Sequence, residues 1–110
     1  MAATQPFGKR LKAARLRKAA GGRYSQEKLG IEAGIAEETA STRMNQYERG
    51  VHIPELGTAT RIANLLEVPL AYLFCIEDDL ADLLLMAYRL SPEQRQTLLE
   101  LAAKIAEAPE

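Results

Sequence analysis

An all-helical chain is what this sequence predicts, and three observations carry that reading. Nearly every segment repeats its apolar residues at about the 3.6-residue period of a helix. No stretch alternates convincingly at the two-residue period of a strand. The breaks between segments hold glycine, proline and capping residues where helices start and stop.

The first helix is expected from about Pro6 to Ala20, with Phe7, Leu11 and Ala14 on one face and Gly21-Gly22 ending it. Leu16 falls on the opposite face, exposed or covered by a C-terminal helix. Ser25 offers an N-cap hydroxyl to a short helix from Gln26 to Ala33 that turns Leu29 and Ala33 inward. Gly34 suits a sharp left-handed turn, with Ile35 as the apolar plug behind it. A third helix from about Glu37 to Glu48 places Ala40, Met44 and Tyr47 on the core face, and Arg49 to Pro54 breaks the pattern. A fourth, about Glu55 to Leu66, has its stripe at Ala59, Ile62, Ala63 and Leu66. Val68-Pro69 opens a fifth that runs through Phe74. These complete a compact five-helix unit, assigned to residues 1–76.

Residues 77–110 form a helical extension. Glu77-Asp78-Asp79 suits a helix N-terminus, and the run from Leu80 to Leu90 is apolar around most of its circumference. Ser91-Pro92-Glu93-Gln94 has capping-box spacing with proline at the first helical position. The last helix carries Leu98, Leu101, Ala102 and Ile105 on one stripe. A helix apolar all round must be covered all round. The five-helix unit covers one side of it, which leaves Leu80, Leu83, Leu84, Leu98, Leu101 and Ile105 to a second subunit.

Composition narrows the function. The formal net charge of −1 conceals a segregation: residues 1–50 hold ten Lys/Arg against five acids, and residues 51–110 hold four against ten. The halves are thus +5 and −6, and a basic N-terminal half can meet phosphates while the acidic half faces away. No apolar run approaches the roughly 20 residues needed to span a bilayer. The N-terminus lacks the basic and apolar regions of a signal peptide, so a cytoplasmic location is expected. The single cysteine, Cys75, lies in an apolar stretch and is expected to be buried and inert. One histidine and one cysteine are too few for a four-ligand zinc site, so no metal or other cofactor is expected. Glu37-Glu38 and Asp78-Asp79 are adjacent pairs, which do not face each other on a helix, and no catalytic constellation stands out.

Ser25-Gln26-Glu27-Lys28-Leu29-Gly30, Ala33-Gly34-Ile35 and Met44 to Gly50 together resemble the lambda-repressor-like (Xre-type) helix-turn-helix family. The likeness continues through Pro54, Ile62-Ala63, Leu66, Val68 and Leu73, and so spans residues 7–74. It implies a regulator, a repressor above all, that binds double-stranded DNA at a pseudo-palindromic operator as a homodimer, its second motif helix in the major groove. Small Gly30, where the family usually has alanine, lets the two motif helices approach. The resemblance implies a phosphate contact for Gln26, with nearby cations such as Lys28 adding charge. It places Ser41, Thr42, Arg43 and Gln46 at or beside positions that reach bases or phosphates, and pairs Arg15 with Glu48 as a structural ion pair. His52 falls in the loop that approaches the DNA backbone in the family. Two departures stand out: the link Ala19 to Tyr24 is longer than usual, and the stretch from Gly34 to Glu48 exceeds the usual length by about one helical turn. Helical geometry gives an independent list. With Met44 facing inward, rotation by about 100° per residue puts Glu38, Thr42, Asn45, Gln46 and Arg49 outward. A second class of function is a protein-interaction module, an antitoxin for example, whose C-terminal tail binds a partner protein.

Overall fold

A computed structural model describes residues 5–20 and 22–108, and among these the regular structure is wholly helical: seven helices and no strand. The helices are α1 (Phe7–Lys18), α2 (Gln26–Glu32), α3 (Glu37–Glu48), α4 (Leu56–Leu66), α5 (Leu70–Leu73), α6 (Asp78–Tyr88) and α7 (Pro92–Glu107).

The local chemistry explains most boundaries. The Ser25 hydroxyl accepts the Lys28 N–H at 3.0 Å and starts α2. Gly34 takes φ +96°, which lets the chain turn from α2 into α3 without the clash a Cβ would bring. The Ser91 hydroxyl accepts from the Gln94 N–H while the Gln94 side chain accepts from the Ser91 N–H, so α7 opens on a reciprocal capping box. The end of α1 differs from expectation. Its last turn tightens at Lys18, where the Ala20 N–H donates to Arg17, and Arg15, Arg17 and Lys18 complement the helix dipole there. Gly21, expected to help stop it, lies outside the described residues.

The apolar stripes expected of α1 to α4 lie inside, and that expected of α7 does not. Phe7 and Leu11 of α1, Leu29 of α2, Met44 of α3, Ile62 of α4 and Leu73 of α5 are fully buried, and they share one core. That core does not stop at residue 76: Ala81 and Leu85 of α6 belong to it. Arg10 locks the junction. Its buried guanidinium donates to the carbonyls of Cys75 (3.0 Å) and Ile76 (3.1 Å), pairs with Asp78 (2.9 Å), and lies 5.8 Å from the Tyr72 ring centroid. Lys9 joins the same carboxylate at 2.9 Å. Cys75, expected to be buried, is half-buried beside this latch.

Past the core the chain projects. No residue of α7 is buried. The radius of gyration is 16.2 Å, against about 13 Å for a compact chain of this length. The corner before α7 is nevertheless braced, because Arg95 donates to the carbonyls of Ala87 and Tyr88, both at 2.8 Å, and satisfies the end of α6. Among the described residues no helix is long and apolar enough to cross a membrane.

Candidate nucleic-acid interface

The helix α3 presents one face to the core and one to solvent. Ala40, Met44 and Tyr47 turn inward. Glu38, Ser41, Thr42, Arg43 and Arg49 are exposed, while Asn45 and Gln46 are half-buried on the outer side. Among the described residues, none of these seven polar side chains makes a hydrogen bond within the chain, so their donors and acceptors face outward unspent. The acids Glu37 and Glu38 sit in the first turn, where the helix dipole favours negative charge.

Three features hold α3 in place. Gly30 in α2 is the first: a Cβ there would stand 2.9 Å from Met44 Cγ and 3.0 Å from Ala40 Cβ, so the two helices meet this closely only without a side chain. Gly50, at φ +78°, is the second. Its N–H donates to Tyr47 and the Val51 N–H to Gln46 (2.9 Å), a Schellman closure of the C-terminus. The third is an ion pair. Arg15 Nε and Nη2 donate to the two oxygens of Glu48 at 2.6 and 3.1 Å, and Nη1 donates to the Tyr24 carbonyl at 2.8 Å. The pair ties α1 to the last residue of α3.

Gln26 sits against that pair. Its amide donates to Glu48 Oε1 at 3.0 Å, which orients the side chain at the start of α2. Lys28 is exposed, its ammonium 5.6 Å from the centroid of the Tyr24 ring. The Tyr24 hydroxyl donates to Glu32 at 2.6 Å. Burial first, then Glu32, holds that phenol protonated well above the usual range.

The outer face of α3 is a ridge between two clefts. One, of about 640 Å³, is lined by Arg23, Ser25, Gln26 and Ser41 among others. The other, of about 520 Å³, is lined by Arg43, Gln46, His52 and Thr58 among others. Each cleft thus holds an exposed arginine, Arg23 in the first and Arg43 of α3 itself in the second, together with one acid, Glu27 and Glu55 respectively. The basic N-terminal half contributes less to this face than its composition suggests, since Arg10 and Arg15 are spent inside and Lys9 and Lys18 are paired.

Sequence reasoning missed several supporting residues. Gly8 packs α1 against the end of α3, where a Cβ would stand 2.5 Å from the Glu48 carbonyl oxygen and 2.6 Å from that of Tyr47. A glycine inside a helix costs about 1 kcal/mol, and that cost was the available signal of close approach. Arg61 donates to the Ala33 carbonyl at 2.8 Å and so closes α2 from α4. On the extension, Leu80, Leu83, Leu101 and Ile105 are exposed, and Leu84 and Leu98 are half-buried.

No family model matches the chain, and no curated protein matches it either. Among solved structures, likeness is strong enough to assign a class: the chain belongs to a family of transcriptional regulators. The relative that shows this is the transcriptional regulator BswR, whose crystal structure is 46% identical in sequence. It aligns over 89% of this chain and 93% of that one, with a TM-score of 0.80. The alignment is too long to stop at α5, so the likeness extends into the C-terminal helices.

Proposed function

We propose that the chain is a sequence-specific, double-stranded DNA-binding repressor of the lambda-repressor-like (Xre-type) class. In this reading α1 to α5 are the five-helix DNA-binding unit, α2 and α3 are the helix-turn-helix, and α3 enters the major groove. The observation that carries the reading is the outward face of α3, a row of polar side chains without partners among the described residues, with an exposed arginine in the cleft on each side.

Each group has a role in that docking. Thr42, Asn45 and Gln46 read base edges, with the amides suited to adenine; Arg43 and Arg49 are suited to guanine or phosphate. Gln26 and Lys28 meet the backbone, which positions the protein without reading sequence. Ser41 stands at the edge of the Gln26 cleft and joins the phosphate contacts, while Glu38 accepts from a cytosine amino group or faces water. Arg15 and Glu48 hold the frame and touch no base.

One such unit covers a half-site. We infer that two copies associate through α6 and α7, whose exposed leucines this chain leaves uncovered, and read two inverted half-sites. A partner protein seated on the same surface is the other reading, and the unburied α7 is equally compatible with it. Selection of bound sequences from a random duplex pool tests the proposal. The expected product is one motif with inverted half-sites about 10 base pairs apart, or a multiple of that spacing. A single unrepeated half-site would exclude the dimer, and no enrichment would exclude sequence-specific binding.

A further inference from the structure

A cavity of about 390 Å³ lies where the extension meets the five-helix unit, lined by none of the residues to which the DNA reading gives a contact. Its walls come from three helices: Ala14, Arg17 and Lys18 of α1, Leu66 to Val68 at the end of α4, and Tyr88 with Arg89 at the end of α6. Ala14, Leu66 and Val68 are buried and give an apolar floor. Tyr88 is 39% exposed and offers a ring as one wall.

The charges around it do not balance. Lys18 is committed, its ammonium donating to the Leu65 carbonyl at 2.6 Å and to Glu67 at 3.1 Å. Glu67, the acid at the rim, is answered by that ammonium. Arg17 and Arg89 have no hydrogen bond or ion pair from their side chains among the described residues. Two guanidinium groups therefore line a cavity with no carboxylate left to meet them. A planar fork of donors matches a carboxylate better than it matches a spherical anion. The volume falls within the range of small-molecule sites, roughly 300–1,000 Å³.

We propose that this cavity binds an aromatic carboxylate, the acid held by Arg17 and Arg89 and the ring laid between Tyr88 and the apolar floor. Such a ligand sits beside the base of α7, because Arg95 hangs α7 from the carbonyls of Ala87 and Tyr88, and Tyr88 lines the cavity. Occupancy would tie that base to α1 and α4, and so fix the direction in which the extension leaves the core. The site stands or falls independently of DNA binding.

The test uses the full isotope-labelled chain, titrated with 2-naphthoate, neutral 2-naphthamide and inorganic phosphate while backbone amide resonances are followed. Saturable shifts at Ala14 to Lys18, Leu66 to Val68 and Tyr88-Arg89 are expected with 2-naphthoate, with at least tenfold weaker response to either control. Arg17→Ala and Arg89→Ala should each weaken 2-naphthoate by about tenfold, the loss of one charge-assisted hydrogen-bonding group, with melting temperature unchanged. Absence of saturable shifts would overturn the proposal. Equal binding of the amide would reduce the site to a greasy surface, equal binding of phosphate to a bare anion site, and indifference to both substitutions would remove the arginines; each of these outcomes rejects it.

Discussion

Removing the carboxylate of Glu48 is the sharpest probe of how α3 is held. The Glu48 side chain is 4% exposed and that of Arg15 is 13% exposed, so Glu48→Ala strands a guanidinium that water reaches only in part. It also deprives the Gln26 amide of its acceptor. Breaking a buried pair from one side costs about 3–5 kcal/mol, and the residual access of Arg15 to water puts this case near the lower figure. The entropy of unfolding is about 2.1 cal/mol/K per residue, so a chain of 110 residues should lose about 13 °C for about 3 kcal/mol. Calorimetry of the wild type, Glu48→Ala, Arg15→Met and the double variant would measure both the loss and the coupling. The double variant should be far less destabilised than the sum of the singles, since it leaves no charge stranded. Melting of Glu48→Ala within about 2 °C of wild type, or strict additivity, would refute the argument. Loss of DNA affinity by Arg15→Met with no change in melting would instead make Arg15 a phosphate contact.

The remaining predictions concern the frame and the extension. Gly8→Ala should destabilise by about 2 kcal/mol despite alanine's better helix propensity, because backbone oxygens of Glu48 and Tyr47 cannot retreat as a side chain can; Gly22→Ala, whose Cβ meets nothing, is the control, and equal melting of the two would contradict the packing. Hydrogen bonds from Lys9 and then Arg10 lower the Asp78 carboxyl below its usual 3.8. Its contribution is therefore present above about pH 4 and disappears as pH falls through the lowered value. The melting difference between wild type and Asp78→Asn should be largest near neutrality and vanish in acid; a constant difference would mean the latch does not depend on charge. Truncation after Leu90 should leave a folded monomer, since Ala81 and Leu85 remain in the core, and sedimentation showing an intact dimer would move the interface off α7.

The fold was legible wherever burial follows from a residue's phase on its own helix. Phe7, Leu11, Met44, Ile62 and Leu66 needed nothing but their spacing to be placed inside, and Ser25, Gly34 and Ser91 marked boundaries through their own conformational chemistry. The outward face of α3 was legible for the same reason, once Met44 was turned inward. What stayed hidden depends on contacts far apart in the chain. Arg10 looked like one more cation for phosphate, yet it lies beneath the junction of α5 and α6, which no local pattern encodes. The core also crosses residue 76, where the helix pattern suggested a boundary, through Ala81 and Leu85. The Arg15–Glu48 pair came from family resemblance, because two charges 33 positions apart leave no periodic trace. Nor did local pattern give the poise of α7: its caps and stripe state that it is a helix, and only the assembled chain leaves every one of its residues unburied.

The central claim is that α3 reads sequence in duplex DNA, and one titration addresses it directly. Wild type and Gln46→Ala are each titrated onto a selected duplex and onto a random duplex at fixed salt. Wild type should prefer the selected duplex, and Gln46→Ala should lose about 1–3 kcal/mol there while its affinity for random DNA stays unchanged. Equal weakening on both duplexes would mean that Gln46 does not read bases. Equal affinity of the wild type for both, or for neither, would contradict the account.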